Sequence, residues 1–354
     1  MSETFGDALS GPEGILTLLG LRGVGPQAVA QLSERFRRVA EVVDAKNELL
    51  EGAVTGQGRA SLRDGHALEV ARSQAVKQLE RAHALGVSVV TPMEAGYPEW
   101  LRLLKDRPPV LYVRGQVRSG RRYVACIGTR EPSQFGVTAT TGVTKALVSD
   151  GWSVVSGLAV GVDALAHRAC LDAGGHTVAV LANGLDTVYP KANAKLAREI
   201  VERGGALISE QPFGAPAIPR NLVQRDRLQC GMSAGTVVNQ TDVKGGSMHT
   251  VRFTLMQGRK LFAPVPTGEH ALEAKSQGIL ALTSRPAQTL VELLGLEPTS
   301  EYALLLKRLG ESVAATGLRS RDDYPRMLEE LGAFASSGPR REPAQMGLGL
   351  GHSR

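Results

Sequence analysis

From residue 122 onward, short apolar runs alternate with helical segments, and this alternation constrains the fold more than any other feature. The strand candidates are Tyr123–Ile127, Trp152–Val155, Thr177–Leu181, Ala206–Ile208, Gly235–Val238 and Leu261–Val265. The helical candidates between them are Val137–Ser149, Val162–Asp172, Ala192–Val201, Arg220–Met232 and Met248–Met256. Runs that are apolar throughout belong to strands buried on both faces, as in a parallel sheet covered by helices. The sequence therefore predicts an α/β fold with a doubly wound parallel sheet.

The sequence on either side of this core has a different pattern. We expect a helical, SAM-like domain over residues 1–86, a Rossmann-like domain over 87–294 and a small helical module over 295–336. In the first domain, Leu21–Pro26 resembles the hairpin of a helix-hairpin-helix motif, and a plain turn between packed helices is the alternative. In the module, Thr316-Gly317-Leu318 resembles the turn of a helix-turn-helix or reduced winged helix; the alternative, a three-helix packing or partner-binding module, is slightly favoured because acidic residues share its charge. Residues 337–354 are rich in Gly, Pro and Ser, which predicts a disordered tail.

Composition narrows the functional classes. The chain of 354 residues has 41 Lys and Arg against 35 Asp and Glu, a net charge of +6 that is compatible with a polyanionic partner. Cys126, Cys170 and Cys230 are far apart, which argues against a metal site and for a reducing compartment. The polar N-terminus and the lack of a long apolar run predict a cytoplasmic protein without a membrane span.

The segment Ser156–Asp163 joins a strand to a helix through Gly157 and Gly161. Such a junction exposes backbone N–H groups and a positive helix end, both suited to binding phosphate. Its glycine spacing is not that of a dinucleotide fold, and no P-loop follows. Asp163 and His167 are four residues apart and share a helical face, so they are either a catalytic pair or structural groups; the structural interpretation is favoured.

Other strand ends carry cations, glycines and small polar residues. The candidates for phosphate or DNA contact are Gly128, Arg130, Ser133, Gly157, Gly161, Lys191, Asn193, Arg225, Arg227, Lys244, Gly245, Gly246 and Ser247. The Arg130 guanidinium can bind a phosphate through two N–H groups at once. The alternative is that Arg130 is an ordinary surface arginine without a ligand. Tyr189 either stacks on a base or packs half-buried. The sequence has no P-loop, no H-E-x-x-H metalloprotease motif and no paired-cysteine metal site, so the pattern favours binding over catalysis, with no cofactor.

An ordered set of motifs resembles the DNA-processing protein DprA (Smf) family over about residues 87–290. The motifs are Tyr97-Pro98, Ile127-Gly128-Thr129-Arg130, Ser156–Asp163 with Ala166-His167, Gly184-Leu185-Asp186 with Tyr189-Pro190-Lys191 and Asn193, Ser209-Glu210 with Pro212, Arg225-Asp226-Arg227, and Gly246-Ser247 with Thr250. The resemblance implies a non-enzymatic protein of natural transformation that binds and protects single-stranded DNA and loads the RecA recombinase. It also implies a homodimer, and the single-strand-binding protein SSB as a further partner.

By the same resemblance, the DNA-pocket arginine of the family falls on Arg130 and its lysine on Lys191, and Gly157–Gly161 and Arg225–Arg227 line or support the pocket. The chain departs from the family at a few positions. Asn239-Gln240 stand where many members have Glu-Ala, and Asp226 replaces the usual asparagine. A nucleotide phosphoribohydrolase is the alternative function, although Lys244–Thr250 stands where that class has its glycine-rich segment and lacks the glutamate of that motif.

Overall fold

A computed structural model of the chain describes residues 5–120 and 122–338. The first four residues and nearly all of the predicted tail lie outside this description. The chain begins with the helices α1 (Pro12–Leu19), α2 (Pro26–Arg35), α3 (Val39–Asp44), α4 (Asn47–Leu50), α5 (Gly56–Arg63) and α6 (Gly65–Ala84). Their apolar side chains form one cluster with strand residues that include Tyr112, Ala179 and Leu207, so this helical region packs directly on the sheet.

The hairpin between α1 and α2 packs against the start of α5. Gly23 has a φ of +81°, and a Cβ there would lie 2.6 Å from the backbone nitrogen of Gly58. The Thr55 hydroxyl donates to the Gly23 carbonyl at 3.0 Å. Glycine is therefore required at position 23 both by the backbone conformation and by this close contact.

The remaining elements alternate as the sequence predicts. They are β1 (Ser88–Val90), β2 (Leu111–Gly115), β3 (Tyr123–Ile127), α7 (Gln134–Ser149), β4 (Ser153–Ser156), α8 (Val162–Asp172), β5 (Thr177–Val180), α9 (Ala194–Glu202), β6 (Ala206–Ser209), α10 (Pro219–Gly231), β7 (Gly235–Val238), α11 (Ser247–Met256), β8 (Lys260–Pro264), α12 (Gln277–Ser284), α13 (Leu290–Leu293), α14 (Glu301–Leu309), β9 (Thr316–Leu318) and α15 (Tyr324–Ser337).

Within the described residues, nine strands form one sheet in the order β1-β2-β6-β5-β4-β3-β7-β8-β9. From β6 to β9 all neighbours are parallel, whereas β2 pairs antiparallel with β6 and with β1. The helices α7, α8 and α15 cover one face, and α10 and α11 cover the other. The predicted α/β fold is confirmed. The strand order reverses at β3 and β7, and ligands of open α/β sheets bind near such a reversal.

The C-terminal segment is built into the sheet rather than forming a separate helix-turn-helix. Thr316-Gly317-Leu318, expected as a turn, is strand β9 and pairs parallel with β8. Met327 and Leu331 of α15 are buried against the sheet. The outer edge of β8 would otherwise present unpaired backbone groups, and β9 covers it. Sequence pattern alone cannot distinguish such a three-residue edge strand from a turn.

Candidate functional site

A depression at the carboxyl edge of the sheet brings together several residues that the sequence singled out. It is lined by Arg130, Gly157, Ala159, Val160, Ala182, Tyr189, Pro190, Leu222 and Arg225. These residues follow β3, β4 and β5 or belong to α10, so four separate stretches of chain meet there. The structure thus brings Arg130, the glycine loop and Tyr189-Pro190 together, and Lys191 follows Pro190 in the chain.

The glycine loop is shaped by its neighbours. Gly161 has a φ of +82°, and a Cβ there would collide with the carbonyl of Arg130. A Cβ on Gly157 would collide with the guanidinium of Arg225. The two glycines therefore permit close approach of the Arg130 loop on one side and of α10 on the other.

Asp163 holds the glycine loop from inside the protein. Its buried carboxylate accepts the N–H of Gly157 at 3.1 Å and the N–H of Ala159 at 3.3 Å. Burial raises the pKa of Asp163, and the nearby Arg225 opposes that shift. Because these two N–H groups are bonded to Asp163, they are not available to a ligand. The loop contributes its shape rather than an open row of donors.

His167 is fully buried beneath the same loop. Its Nδ1 lies 2.7 Å from the Thr177 hydroxyl, and burial lowers its pKa to about 3. A neutral imidazole packed beside a strand hydroxyl is a structural group. The geometry thus agrees with the structural interpretation of Asp163 and His167.

Arg225 forms the floor of the depression. Its Nη1 donates to the carbonyls of Gly157 and Val180, each at 2.6 Å, and its Nε donates to Asp226 at 2.9 Å. The side chain is only 7% exposed. It therefore joins the glycine loop to the end of β5, and its charge is matched by a carboxylate of its own helix.

Arg227 points into a different network. It pairs with Asp106 at 2.9 Å and with Glu210 at 2.7 Å, and it too is buried. A buried guanidinium requires such carboxylate partners to offset its lost hydration. The sequence placed both arginines among the DNA contacts; the structure instead places Arg227 as internal support away from the depression.

Arg130 lines the depression, Lys191 directly follows the lining residue Pro190, and both side chains are exposed, so together they form a basic rim. Among the residues that the structure describes, neither has a carboxylate within ion-pair distance. Beside them, the Tyr189 ring is 46% exposed and Val160 is 41% exposed. The rim thus combines uncompensated positive charge with an exposed aromatic ring, and we refer to Arg130, Lys191 and Tyr189 as the basic rim.

Three further candidates from the sequence, Asn193, Gly128 and Ser133, make contacts within the protein. The Asn193 amide donates to the Leu158 carbonyl at 2.8 Å, which ties the Lys191 segment to the glycine loop. A Cβ on Gly128 would lie 2.7 Å from Val162, so this glycine allows β3 and α8 to approach. The Ser133 N–H donates to Oε1 of Gln240 at 2.9 Å. Gln240 was not among the sequence candidates, although its departure from the alanine common in the family was a usable signal.

The Lys244–Ser247 segment lies after β7, on the opposite side of β3 from the glycine loop. The N–H groups of Lys244 and Gly245 both donate to Asp242. The exposed Lys244 side chain and the start of α11 remain for anion contact. The structure therefore separates this group from the depression.

No group of His, Cys, Asp and Glu in residues 5–120 and 122–338 is arranged to hold a metal ion. None of the helices in that part of the chain is long and apolar enough to cross a membrane.

Comparison with known proteins decides the family. Residues 88–295 match the family model described as DNA recombination-mediator protein A. The chain belongs to this family. Protein Smf of Escherichia coli is 36% identical over 193 residues, which cover 53% of this chain and 52% of that protein. Protein Smf of Synechocystis is 30% identical over 278 residues, which cover 77% of this chain and 68% of the relative.

The match to DNA processing protein DprA of Bacillus subtilis covers 60% of the relative at 34% identity. The chain thus spans between about half and two thirds of the length of these three relatives. The X-ray structure of DprA from Streptococcus pneumoniae superposes with a TM-score of 0.65 at 22% identity, covering 89% of this chain and 97% of the other. That likeness shows a shared fold.

Proposed function

We propose that this protein binds single-stranded DNA by placing phosphates against Arg130 and Lys191 at the carboxyl edge of the sheet. The observation that carries the proposal is the basic rim, in which Arg130 and Lys191 are exposed near the glycine loop and have no ion-pair partner among residues 5–120 and 122–338. Phosphate contacts dominate the affinity of proteins for nucleic acids. An arginine guanidinium and a lysine ammonium are the groups that such contacts use.

The shape of the depression favours a single strand over a duplex. Tyr189 and Val160 expose apolar surface beside the cations. A single strand can turn an unpaired base onto an aromatic ring, and such stacking stabilises complexes with single strands. A duplex keeps its base faces covered and offers only its phosphates.

We further infer that the bound strand is delivered to a RecA-type recombinase and that the protein acts as a homodimer in the cytoplasm. Support comes from membership of a family described as recombination mediators. SSB is the further partner that the resemblance implies. No cofactor is required, because binding of DNA by charge and stacking needs none.

Fluorescence anisotropy with labelled oligo-dT and a duplex of equal length tests the binding proposal. Arg130→Ala and Lys191→Ala should each weaken oligo-dT binding about tenfold at moderate salt, because each removes a charge-assisted phosphate contact. Arg308→Ala is the matched control, since it removes one exposed charge on α14, which packs on the β8 side of the molecule. Equal binding by all four proteins would overturn the assignment of the basic rim.

Recombinase delivery is tested separately. The protein should shorten the delay before RecA hydrolyses ATP on single strands already covered by SSB. The Arg130→Ala variant should shorten this delay less than the parent protein does. The phosphoribohydrolase alternative has its own assay: release of free base from nucleoside monophosphates would favour an enzyme over a recombination mediator.

A further inference from the structure

Gln240 holds the loop that carries Arg130 at both of its ends. The backbone carbonyl of Gln240 accepts the Thr129 N–H at 2.8 Å. Its side-chain Oε1 accepts the Ser133 N–H at 2.9 Å, and its Nε2 donates to the Ser133 hydroxyl at 2.9 Å. Arg130 lies between these two anchor points. One fully buried residue therefore fixes both ends of the loop.

The same amide reaches a second segment. Nε2 of Gln240 also donates to Glu273 at 2.9 Å and lies 3.2 Å from the Ser276 hydroxyl. The Lys275 ammonium donates to the carbonyl of Glu131, the residue next to Arg130, at 2.7 Å. The segment 273–276 and Gln240 thus brace the Arg130 loop from the side opposite the glycine loop.

We propose that Gln240 is a positioning residue for Arg130, with Glu273 orienting its amide. This inference rests on the proposed function, in which Arg130 contacts phosphate. Alanine, common at this position in the family, has no amide to bond Ser133. In this chain the Ser133 N–H, Ser133 hydroxyl and Glu273 carboxylate would all lose a partner if the amide were removed. The loop would lose its anchor at Ser133 and keep those at Thr129 and Glu131, so Arg130 would spend less time in the binding position.

A double-mutant cycle in oligo-dT binding tests this role, because coupled residues give non-additive effects. Gln240→Ala should weaken binding about fivefold in the parent protein, a moderate coupling on the scale of contacting residues. In the Arg130→Ala background the same change should have no further effect. In the Lys191→Ala background it should again weaken binding about fivefold, since Lys191 lies on a different segment.

Thr236→Val provides the matched control. Thr236 is a buried residue of β7, the strand that precedes Gln240 in the chain. Its hydroxyl is hydrogen-bonded to the Thr254 hydroxyl at 2.8 Å, away from the Arg130 loop. This variant should lower the midpoint of urea unfolding and leave oligo-dT affinity unchanged. A loss of affinity equal to that of Gln240→Ala would assign the effect to general destabilisation.

The outcomes separate the two proposals. If Arg130→Ala binds as the parent does, the proposed function of the basic rim fails and the positioning role fails with it. If Arg130→Ala is weak but Gln240→Ala is either silent or equally costly in both backgrounds, the positioning role alone is wrong. The double variant Gln240→Glu, Glu273→Gln exchanges the carboxylate and the amide across the 2.9 Å contact. If it recovers oligo-dT affinity that Gln240→Glu alone has lost, the proposed orientation of the amide gains further support.

Discussion

Two sets of cationic side chains that the sequence singled out differ in what neutralises their charge. Arg225 and Arg227 are buried on α10 and paired with Asp226, Asp106 and Glu210. Arg130 and Lys191 are exposed on loops and have no such carboxylate among the described residues. A charge neutralised inside the protein serves the fold, and a charge left for solvent is available to a polyanion. The first set should therefore control stability and the second set should control binding.

Arg227→Ala should give the largest loss of stability. The change leaves Glu210 and Asp106 without their buried partner, and breaking such a pair costs about 4 kcal/mol. Urea unfolding followed by circular dichroism measures the effect. Arg326→Ala, which breaks an exposed pair with Glu330, should change the free energy of unfolding by less than about 1 kcal/mol. Similar losses for both variants would erase the distinction between internal and surface charges.

Asp226→Asn should change how the free energy of unfolding depends on pH, because the carboxyl group of Asp226 is buried. Burial raises the pKa of Asp226 from 3.8 to about 6. The folded protein therefore holds this proton more tightly than the unfolded chain, so the contribution is present at pH 4 and lost as the pH rises through 6. Relative to the parent, Asp226→Asn should gain up to about 3 kcal/mol of stability between pH 4 and pH 8.

Urea unfolding of both proteins across that pH range provides the measurement. His167, whose pKa is lowered to about 3, acts in the opposite direction as the pH falls below its ordinary value of 6.5, but it is present in both proteins. The difference between the two curves thus isolates position 226. A difference that stays constant with pH would contradict the raised pKa.

Gly161→Ala should lower stability by about 2 kcal/mol, because alanine is strained at a φ of +82° and its Cβ would press on the Arg130 carbonyl. Gly246→Ala is a suitable control, since that glycine is in the right-handed helical region with open space around it. The two midpoints of thermal unfolding should separate clearly. Coinciding midpoints would mean that the glycine loop is not held as described.

The smallest change in stability is expected for the doubly substituted basic rim. Arg130→Ala with Lys191→Ala should leave the free energy of unfolding within about 0.5 kcal/mol of the parent, because both side chains are exposed and neither has an ion-pair partner in the described part of the chain. The same variant should lose most of its oligo-dT affinity. A stability loss comparable to that of Arg227→Ala would show that the rim also serves the fold.

The sequence predicted the sheet well because burial on both faces leaves a clear mark: β3, β5 and β7 lie within a residue of their predicted bounds. It failed for β9, whose three residues carry too little pattern. At the proposed site, the sequence singled out Arg130 because it follows the end of β3, and Lys191 because it precedes a helix at the carboxyl edge of the sheet. The burial of Arg227 could not be predicted, because its partners Asp106 and Glu210 are distant in sequence and only the fold brings them together.

The salt dependence of oligo-dT binding reports directly whether Arg130 and Lys191 contact phosphates of the strand. The plot of log K for a single strand against log salt concentration has a negative slope, and each phosphate contact that is lost makes this slope less steep by about 0.7. The Arg130→Ala, Lys191→Ala double variant should therefore have a slope about 1.4 shallower than the parent, whereas Arg308→Ala should keep the parent slope. Parallel lines for the parent and the double variant would contradict the account, because they would mean that neither cation contacts a phosphate.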